Sequence, residues 1–167
     1  MASTSNRRWL LLVFALAVAV RLALIAVQYT DDLARFQSGD YTLYRIGGEH
    51  ICAQRDTTNS LFLLRPPLFP LLVCLLGVND WAVLLANAVI GAALAPLTVI
   101  LAHQLRLGPR PALAAGIVVA LDPASVAYSA WLGAEPLANV TLILMIVALL
   151  QGALYSGGQR ALGWGAA

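Results

Sequence analysis

The feature that most constrains this chain is a run of 22 residues, Trp81 to Ala102, without a charged side chain. An α-helix needs about 20 apolar residues to cross the roughly 30 Å of hydrocarbon in a bilayer. A helix also satisfies its own backbone amides and carbonyls, which find no water there. The run therefore predicts a membrane-spanning helix, and Pro96 predicts a bend within it.

The whole chain shares this apolar character. Of its 167 residues, 60% are hydrophobic and 11% are charged, whereas an average soluble domain has about 45–50% and about 25%. A chain this short cannot bury so much apolar surface in a soluble core, because small domains keep a large surface relative to their volume. The composition excludes a soluble globule and predicts an all-α, polytopic membrane protein with a single membrane domain.

Four segments are apolar enough to be spans, at about residues 9–27, 81–102, 111–132 and 136–154. The first is a run of 19 residues interrupted only by Arg21, which is longer than the core of about 7–15 residues in a cleaved signal peptide. The third contains Asp122-Pro123 and allows two interpretations. Either it crosses as one broken helix, which we favour, or the helix ends at Pro123 and leaves residues 122–135 near the far face.

Charged residues are segregated along the chain. Residues 1–8, 103–110 and 155–160 contain five arginines and no acid, while all eight acids lie within 28–80 and 122–135. Short basic loops stay on the cytoplasmic side, so we expect a cytoplasmic N-terminus and an outer loop at 28–80 in a cell inner membrane. The arginines do not cluster on a soluble face, so no nucleic-acid partner is expected.

The outer loop is long, and long loops in compact proteins are usually functional. Tyr41 to Cys52 looks helical and amphipathic, and the 11 residues from Leu68 to Val78 are too short to cross a bilayer. We expect the second segment to be an interfacial or re-entrant helix. Since Cys52 would lie outside the membrane and Cys74 within or beside it, we do not expect a disulfide between them.

Several short motifs follow one another in a fixed order. Asp40, Tyr41 and Tyr44 form Asp-Tyr-x-x-Tyr, residues 65–70 read Arg-Pro-Pro-Leu-Phe-Pro, and residues 134–137 read Ala-Glu-Pro-Leu. Together with the arginine in the first span, this order resembles the N-terminal part of the polytopic glycosyltransferases that use polyprenyl-phosphate sugars. This GT-C superfamily includes protein O-mannosyltransferases and the aminoarabinose transferase that acts on lipid A. The resemblance covers nearly the whole chain, but only the opening part of such an enzyme.

The resemblance implies an active site at the outer membrane face, with a lipid-linked sugar donor as substrate and Asp40 as the catalytic base. A carboxylate can take the proton of an acceptor hydroxyl as that hydroxyl attacks the sugar. The departing lipid phosphate needs positive charge, for which Arg65 and Arg45 are candidates, because guanidinium groups pair bidentately with phosphate. The remaining substrate-binding candidates are Tyr44, Glu135 and Arg21.

Each candidate also has a structural interpretation. Asp40 could cap the helix that follows it, and Arg65 could anchor in the lipid headgroups. Arg21 could extend to the interface or pair with Asp122 or Glu135, because an unpaired charge within a membrane is costly. Glu135 could simply be an acidic residue at a helix start.

The two tyrosines, Tyr41 and Tyr44, could anchor the outer loop at the membrane interface. The isolated His50 and His103 do not form a metal-binding pattern. No cofactor follows from the residues, although a divalent metal is compatible with the proposed chemistry.

The apolar residues 161–167 look like the first turn of a fifth span, so we expect this chain to be the N-terminal part of a longer enzyme. If it is instead a complete chain, it is not expected to catalyse transfer alone. The alternative is then a non-catalytic accessory or scaffold subunit of a larger membrane complex. Expected partners are membrane lipids and other membrane subunits, besides the sugar donor.

Overall fold

The computed structural model describes residues 4–28, 39–54 and 66–155. These ranges contain helices and no β-strand, which confirms the all-α expectation for the described part of the chain. In chain order the helices are α1 Thr4–Gln28, α2 Tyr41–Gln54, α3 Leu68–Leu75, α4 Asp80–Ala92, α5 Leu94–Gln104, α6 Pro109–Leu121, α7 Pro123–Ser129 and α8 Glu135–Tyr155.

Three helical segments are long and apolar enough to cross a membrane: Arg7–Gln28, Asp80–Gln104 and Glu135–Gly152. They match the spans predicted at 9–27, 81–102 and 136–154 to within a few residues. Helices α6 and α7 would add a fourth if they act as one bent span. Helices α2 and α3 have 14 and 8 residues, and the sequence also predicted short helices there.

Helices α4 and α5 are two parts of one predicted span, separated at Ala93. Pro96 has no amide hydrogen and its ring crowds the preceding turn, so the regular hydrogen-bond pattern cannot continue through it. The amide of Ala93 is shared between the carbonyls of Ile90 and Val89, at 3.0 and 3.3 Å. The hydrogen-bond pattern is therefore interrupted three residues before the proline, while Asp80–Gln104 still counts as one candidate span. The predicted bend at Pro96 stays a prediction.

Helices α6 and α7 meet at Asp122 with a bend of 52°. Pro123 begins α7, where its missing amide hydrogen costs nothing, and the Asp122 side chain accepts a 2.7 Å hydrogen bond from the Ser125 amide. Asp122 thus caps α7 while ending α6. The break falls at the Asp122-Pro123 pair, as predicted.

Helix α1 packs against α4, α5, α6 and α7, and α8 packs against α4, α5 and α7. Small side chains allow these helices to approach closely. A Cβ atom on Gly91 of α4 would collide with the side chain of Ser129 in α7, and one on Gly116 of α6 would collide with Val99 in α5. Small residues form a packing face on the second span, where four of them are buried: Ala88, Gly91, Ala92 and Ala95.

Helices α2 and α3 are joined by a disulfide between Cys52 and Cys74, whose Cα atoms are 5.5 Å apart. The expectation that these cysteines would not pair was wrong. It placed the second cysteine at the membrane, whereas α3 lies along α2, and a Cβ on Gly48 would touch Val73. The α2–α3 pair rests on the ends of α1 and α4 through a shared apolar cluster that includes Ile25.

Candidate functional site

Asp40, the predicted base, lies in the exposed turn immediately before α2. Its backbone carbonyl accepts hydrogen bonds from the amides of Leu43 and Tyr44, at 3.1 and 3.3 Å, and so forms part of the first turn of the helix. The residue is therefore fixed by its backbone at the beginning of α2. It occupies an exposed position that a substrate could reach.

Tyr41 immediately follows and is fully buried. Its hydroxyl donates a 2.7 Å hydrogen bond to Oδ1 of Asp80, the first residue of α4. Burial, and then the hydrogen bond to Asp80, raise the pKa of the Tyr41 phenol well above its usual value. The expectation that Tyr41 is an interface anchor was wrong, because the side chain is enclosed between α2 and α4.

Arg45 lies one turn further along α2 and contacts two carboxylates. Its Nε is 3.5 Å from Oε1 of Glu49, and a terminal nitrogen is 3.5 Å from Oδ2 of Asp80. The two oxygens of Asp80 thus hold two residues of α2. A phosphate bound by Arg45 would have to share the guanidinium with these carboxylates.

Asp80 is the site residue that sequence reasoning missed. It is one of eight acids in the chain, and no local pattern connects it with an aromatic residue 39 positions earlier. Its place after the helix-capping Asn79 indicates a helix start. That signal predicts the beginning of α4, but it does not identify Tyr41 or Arg45 as partners.

The other candidates are placed separately. Tyr44 is half-buried, with its ring edge-on to Phe69 at a centroid distance of 5.1 Å, so it joins α2 to α3. Glu135 is exposed in the first turn of α8, where its negative charge interacts favourably with the helix dipole. Arg65 lies outside the described residues. Substrate contacts by these three remain predictions.

Arg21 is buried in the middle of the helical bundle, with none of its surface exposed. Its NH1 donates to the carbonyls of Ala17 and Ala120, at 3.0 and 3.4 Å, and its NH2 donates to Oγ of Ser125 at 2.8 Å. Among the described residues, no ion pair joins Arg21 to Asp122 or Glu135. The direct pairing of Arg21 with Asp122 or Glu135 that the sequence allowed is therefore not formed. The Asp122 carboxylate is linked to it through Ser125.

The contacts of Arg21 connect α1 to both sides of the break at Asp122. The last carbonyls of α6 lack helical donors, and a cation near a helix C-terminus is favourable. Asn87 links α4 to the segment that follows α7, because its Nδ2 donates hydrogen bonds to the carbonyls of Trp131 and Gly133 at 2.9 and 2.8 Å. Among the residues that the structure describes, neither Nε of Arg21 nor Oδ1 of Asn87 finds a hydrogen-bond partner. The bundle therefore contains a polar centre.

In the described part of the chain, no group of three or more His, Cys, Asp or Glu side chains could hold a metal ion. The chain matches no protein-family model, no curated protein and no solved structure in the comparisons made. The functional argument consequently rests on the motifs and on the geometry of their residues.

Proposed function

We propose that this chain is the N-terminal portion of a membrane glycosyltransferase that moves a sugar from a polyprenyl-phosphate donor to an acceptor at the outer membrane face. The observation that carries the proposal is the position of Asp40. It is exposed at the start of α2, directly before Tyr41, whose hydrogen bond to Asp80 holds this end of the helix on the bundle. A firmly held, accessible carboxylate beside apolar spans suits a base that acts on a lipid-linked substrate.

The proposed reaction is a single displacement at the anomeric carbon of the sugar. Asp40 takes the proton of the acceptor hydroxyl while the hydroxyl oxygen forms a bond to that carbon. The bond from the carbon to the phosphate oxygen breaks, and its electron pair leaves with the polyprenyl phosphate. The products are the glycosylated acceptor and the lipid phosphate, and the proton stays on Asp40 until it passes to solvent.

Positive charge near the leaving phosphate would stabilise the transition state. Arg65 and Arg45 are the proposed sources, with Tyr44, Glu135 and Arg21 as further substrate contacts. Arg45 is on the same helix as the base and is 44% exposed, so its guanidinium remains accessible beside its carboxylate partners. Any divalent metal would take part of this role.

The disulfide supports the proposed orientation. Disulfides persist in oxidising compartments outside the cytoplasm, and Cys52–Cys74 lies in the α2–α3 pair that belongs to the proposed outer loop. Arg106, in the turn between α5 and α6, and Arg110, in the first turn of α6, would then be cytoplasmic, in agreement with the positive-inside rule. The N-terminus would share that side.

The second candidate is a non-catalytic accessory or scaffold subunit of a larger membrane complex. Two of the proposed substrate-binding arginines have partners within the chain: Arg45 contacts Glu49 and Asp80, and Arg21 bonds to backbone carbonyls and Ser125. These contacts give both side chains a structural role without a substrate.

The assignment of Asp40 as the base is tested by comparing the full-length natural protein with its Asp40→Asn variant. Short-chain polyprenyl phosphates that carry either a hexose or an aminopentose serve as donors. Release of the polyprenyl phosphate in native membranes is measured by mass spectrometry. We expect D40N to lose about 100-fold or more of the wild-type rate, the usual scale of general-base catalysis. Asp56→Asn changes another carboxyl of the proposed outer loop, one that has no proposed role, and should leave most of the rate.

Near-normal turnover by D40N would remove Asp40 as the base. Absence of donor consumption by the wild-type protein with every donor in the panel would contradict the glycosyltransferase proposal and favour the accessory subunit.

A further inference from the structure

A groove of about 530 Å³ opens between α5, α7 and α8. This volume is within the range of about 300–1,000 Å³ that is typical of small-ligand sites, which commonly lie between helices of bundles. The groove is separate from Asp40 and from the α2–α3 pair. Its walls come mainly from apolar side chains, including Leu94, Leu101, Leu142 and Ile146.

Three polar side chains of the groove lie near helix starts: Asp122 and Ser125 at α7 and Asn139 at α8. Of the other two, Thr98 bonds to the Leu94 carbonyl of its own helix, and Tyr128 lies near the end of α7. Asn139 lies four residues after the start of α8 at Glu135, or about 6 Å along the axis, whereas Ile146 lies about 16 Å along it. Asp122 and Ser125, at the start of α7, also face the groove. A ligand lying along this groove would meet polar groups first and hydrocarbon further in.

These polar groups leave hydrogen-bonding capacity in an apolar setting. The Asn139 side chain is exposed on a candidate span and makes no hydrogen bond to any residue that the structure describes. Asp122 uses one carboxylate oxygen, Oδ2, for the amide of Ser125. An amide without a partner in hydrocarbon costs free energy, so an occupant that supplies a donor is favoured.

We propose that this groove binds a membrane lipid whose head group ends in a primary ammonium. The ammonium would donate to the Asp122 carboxylate and the Asn139 carbonyl, and one hydrocarbon chain would lie along Leu142 and Ile146. The Asp122 carboxylate and the Asn139 carbonyl both accept hydrogen bonds, so together they favour a head group that supplies N–H donors. The Arg21 guanidinium, linked to Asp122 through Ser125, offsets part of the negative charge, so the selection rests on the donors of the head group. A purely apolar helix in the groove would supply no donor to the Asn139 carbonyl, and it would leave Asp122 with the Ser125 amide alone.

The test measures which lipid the full-length protein retains, by native mass spectrometry after equilibration with equal amounts of three lipids. Phosphatidylethanolamine, phosphatidylcholine and phosphatidylglycerol with identical acyl chains serve as probes. Phosphatidylcholine keeps the positive charge of phosphatidylethanolamine but has no N–H donor. We expect retention of phosphatidylethanolamine about tenfold over phosphatidylcholine, the scale of one charge-assisted hydrogen bond.

Two variants remove the polar end of the groove. Asp122→Asn removes the charge but keeps a good helix-capping residue, and Asn139→Leu removes the amide from an exposed position. In each variant, the ratio of retained phosphatidylethanolamine to phosphatidylcholine should fall close to one. Thr141→Val is the matched control, because Thr141 is on α8 outside the groove lining and bonds to the Leu137 carbonyl.

Equal retention of the two zwitterionic lipids, or a preference for phosphatidylglycerol, would overturn the proposal. Unchanged selectivity in both D122N and N139L would also overturn it. A photoreactive residue placed at Leu142 should crosslink to lipid, and crosslinking to another polypeptide segment would show that protein covers the groove. None of these measurements depends on glycosyl transfer.

Discussion

The hydroxyl of Tyr41 donates a 2.7 Å hydrogen bond to the carboxylate of Asp80, which also contacts Arg45. This contact joins the first residue of α2 to the first residue of α4, across 39 positions of sequence. Because Asp40 immediately precedes Tyr41, the contact also determines where the proposed base lies. The α2–α3 pair is thus held at its start by a hydrogen bond and near its end by a disulfide.

Tyr41→Phe should lower the free energy of unfolding by about 1.5–3 kcal/mol, the scale of a hydrogen bond to a charged group. The variant keeps the buried ring and leaves Asp80 with Arg45 as its charged partner. Thermal unfolding in detergent measures the loss. Tyr128→Phe is the control, since that tyrosine is half exposed, and an equal change in both variants would contradict a specific role for the Tyr41–Asp80 bond.

Stability should fall at alkaline pH because of Tyr41. Its pKa is raised in the folded protein, so above about pH 10 an unfolded tyrosine loses its proton while the folded one keeps it. The unfolded state then binds fewer protons, and the free energy of unfolding falls by up to about 1.4 kcal/mol per pH unit. The Y41F variant should lack this part of the decrease. Parallel pH curves for the two proteins would contradict it.

Removal of the disulfide by Cys52→Ser with Cys74→Ser should cost about 3 kcal/mol, the chain-entropy value for a loop closed over 22 residues. Unfolding of the wild-type and double variant, with and without reductant, measures the cost. Reductant should affect the wild type only. Free thiols in protein taken from its own membrane under non-reducing conditions would show that the bond does not form there.

Arg21→Lys should destabilise the bundle by about 1–3 kcal/mol, the cost of leaving buried polar groups unpaired. A lysine keeps the charge but has a single nitrogen, so it cannot reach both the Ala120 carbonyl and Ser125 as the forked guanidinium does. Arg8→Lys, at an exposed position of the same helix, should be neutral. Equal stability of R21K and wild type would show that the fork is not needed at the α6–α7 break.

Gly91→Ala should destabilise by about 1–3 kcal/mol because the added methyl group overpacks the contact between α4 and α7. Its Cβ would collide with Ser129, and the double variant with Ser129→Gly should recover much of the loss. Gly152→Ala is the matched control, since a Cβ there meets open space. It should stabilise α8 by about 0.5–1 kcal/mol. No recovery in the double variant would contradict this contact.

Much of the helical architecture could be predicted from the sequence. Apolar runs of about 20 residues placed three candidate spans, and proline chemistry located the interruptions near Pro96 and at Asp122-Pro123. These are local properties, set by side-chain hydropathy and backbone geometry within a few residues of each site.

The partners of polar residues were decided by the tertiary structure. From the sequence, Tyr41 was expected at the membrane interface, Cys52 and Cys74 were expected not to pair, and Asp80 was not recognised as a partner. In the structure, all four residues attach α2 to its neighbouring helices. Arg21 shows the same limit, because its burial was foreseen as costly but its partners at the α6–α7 break were not. Hydropathy predicts which segments become helices, whereas long-range contacts depend on how those helices pack, and that packing is set by shape complementarity between surfaces distant in the sequence.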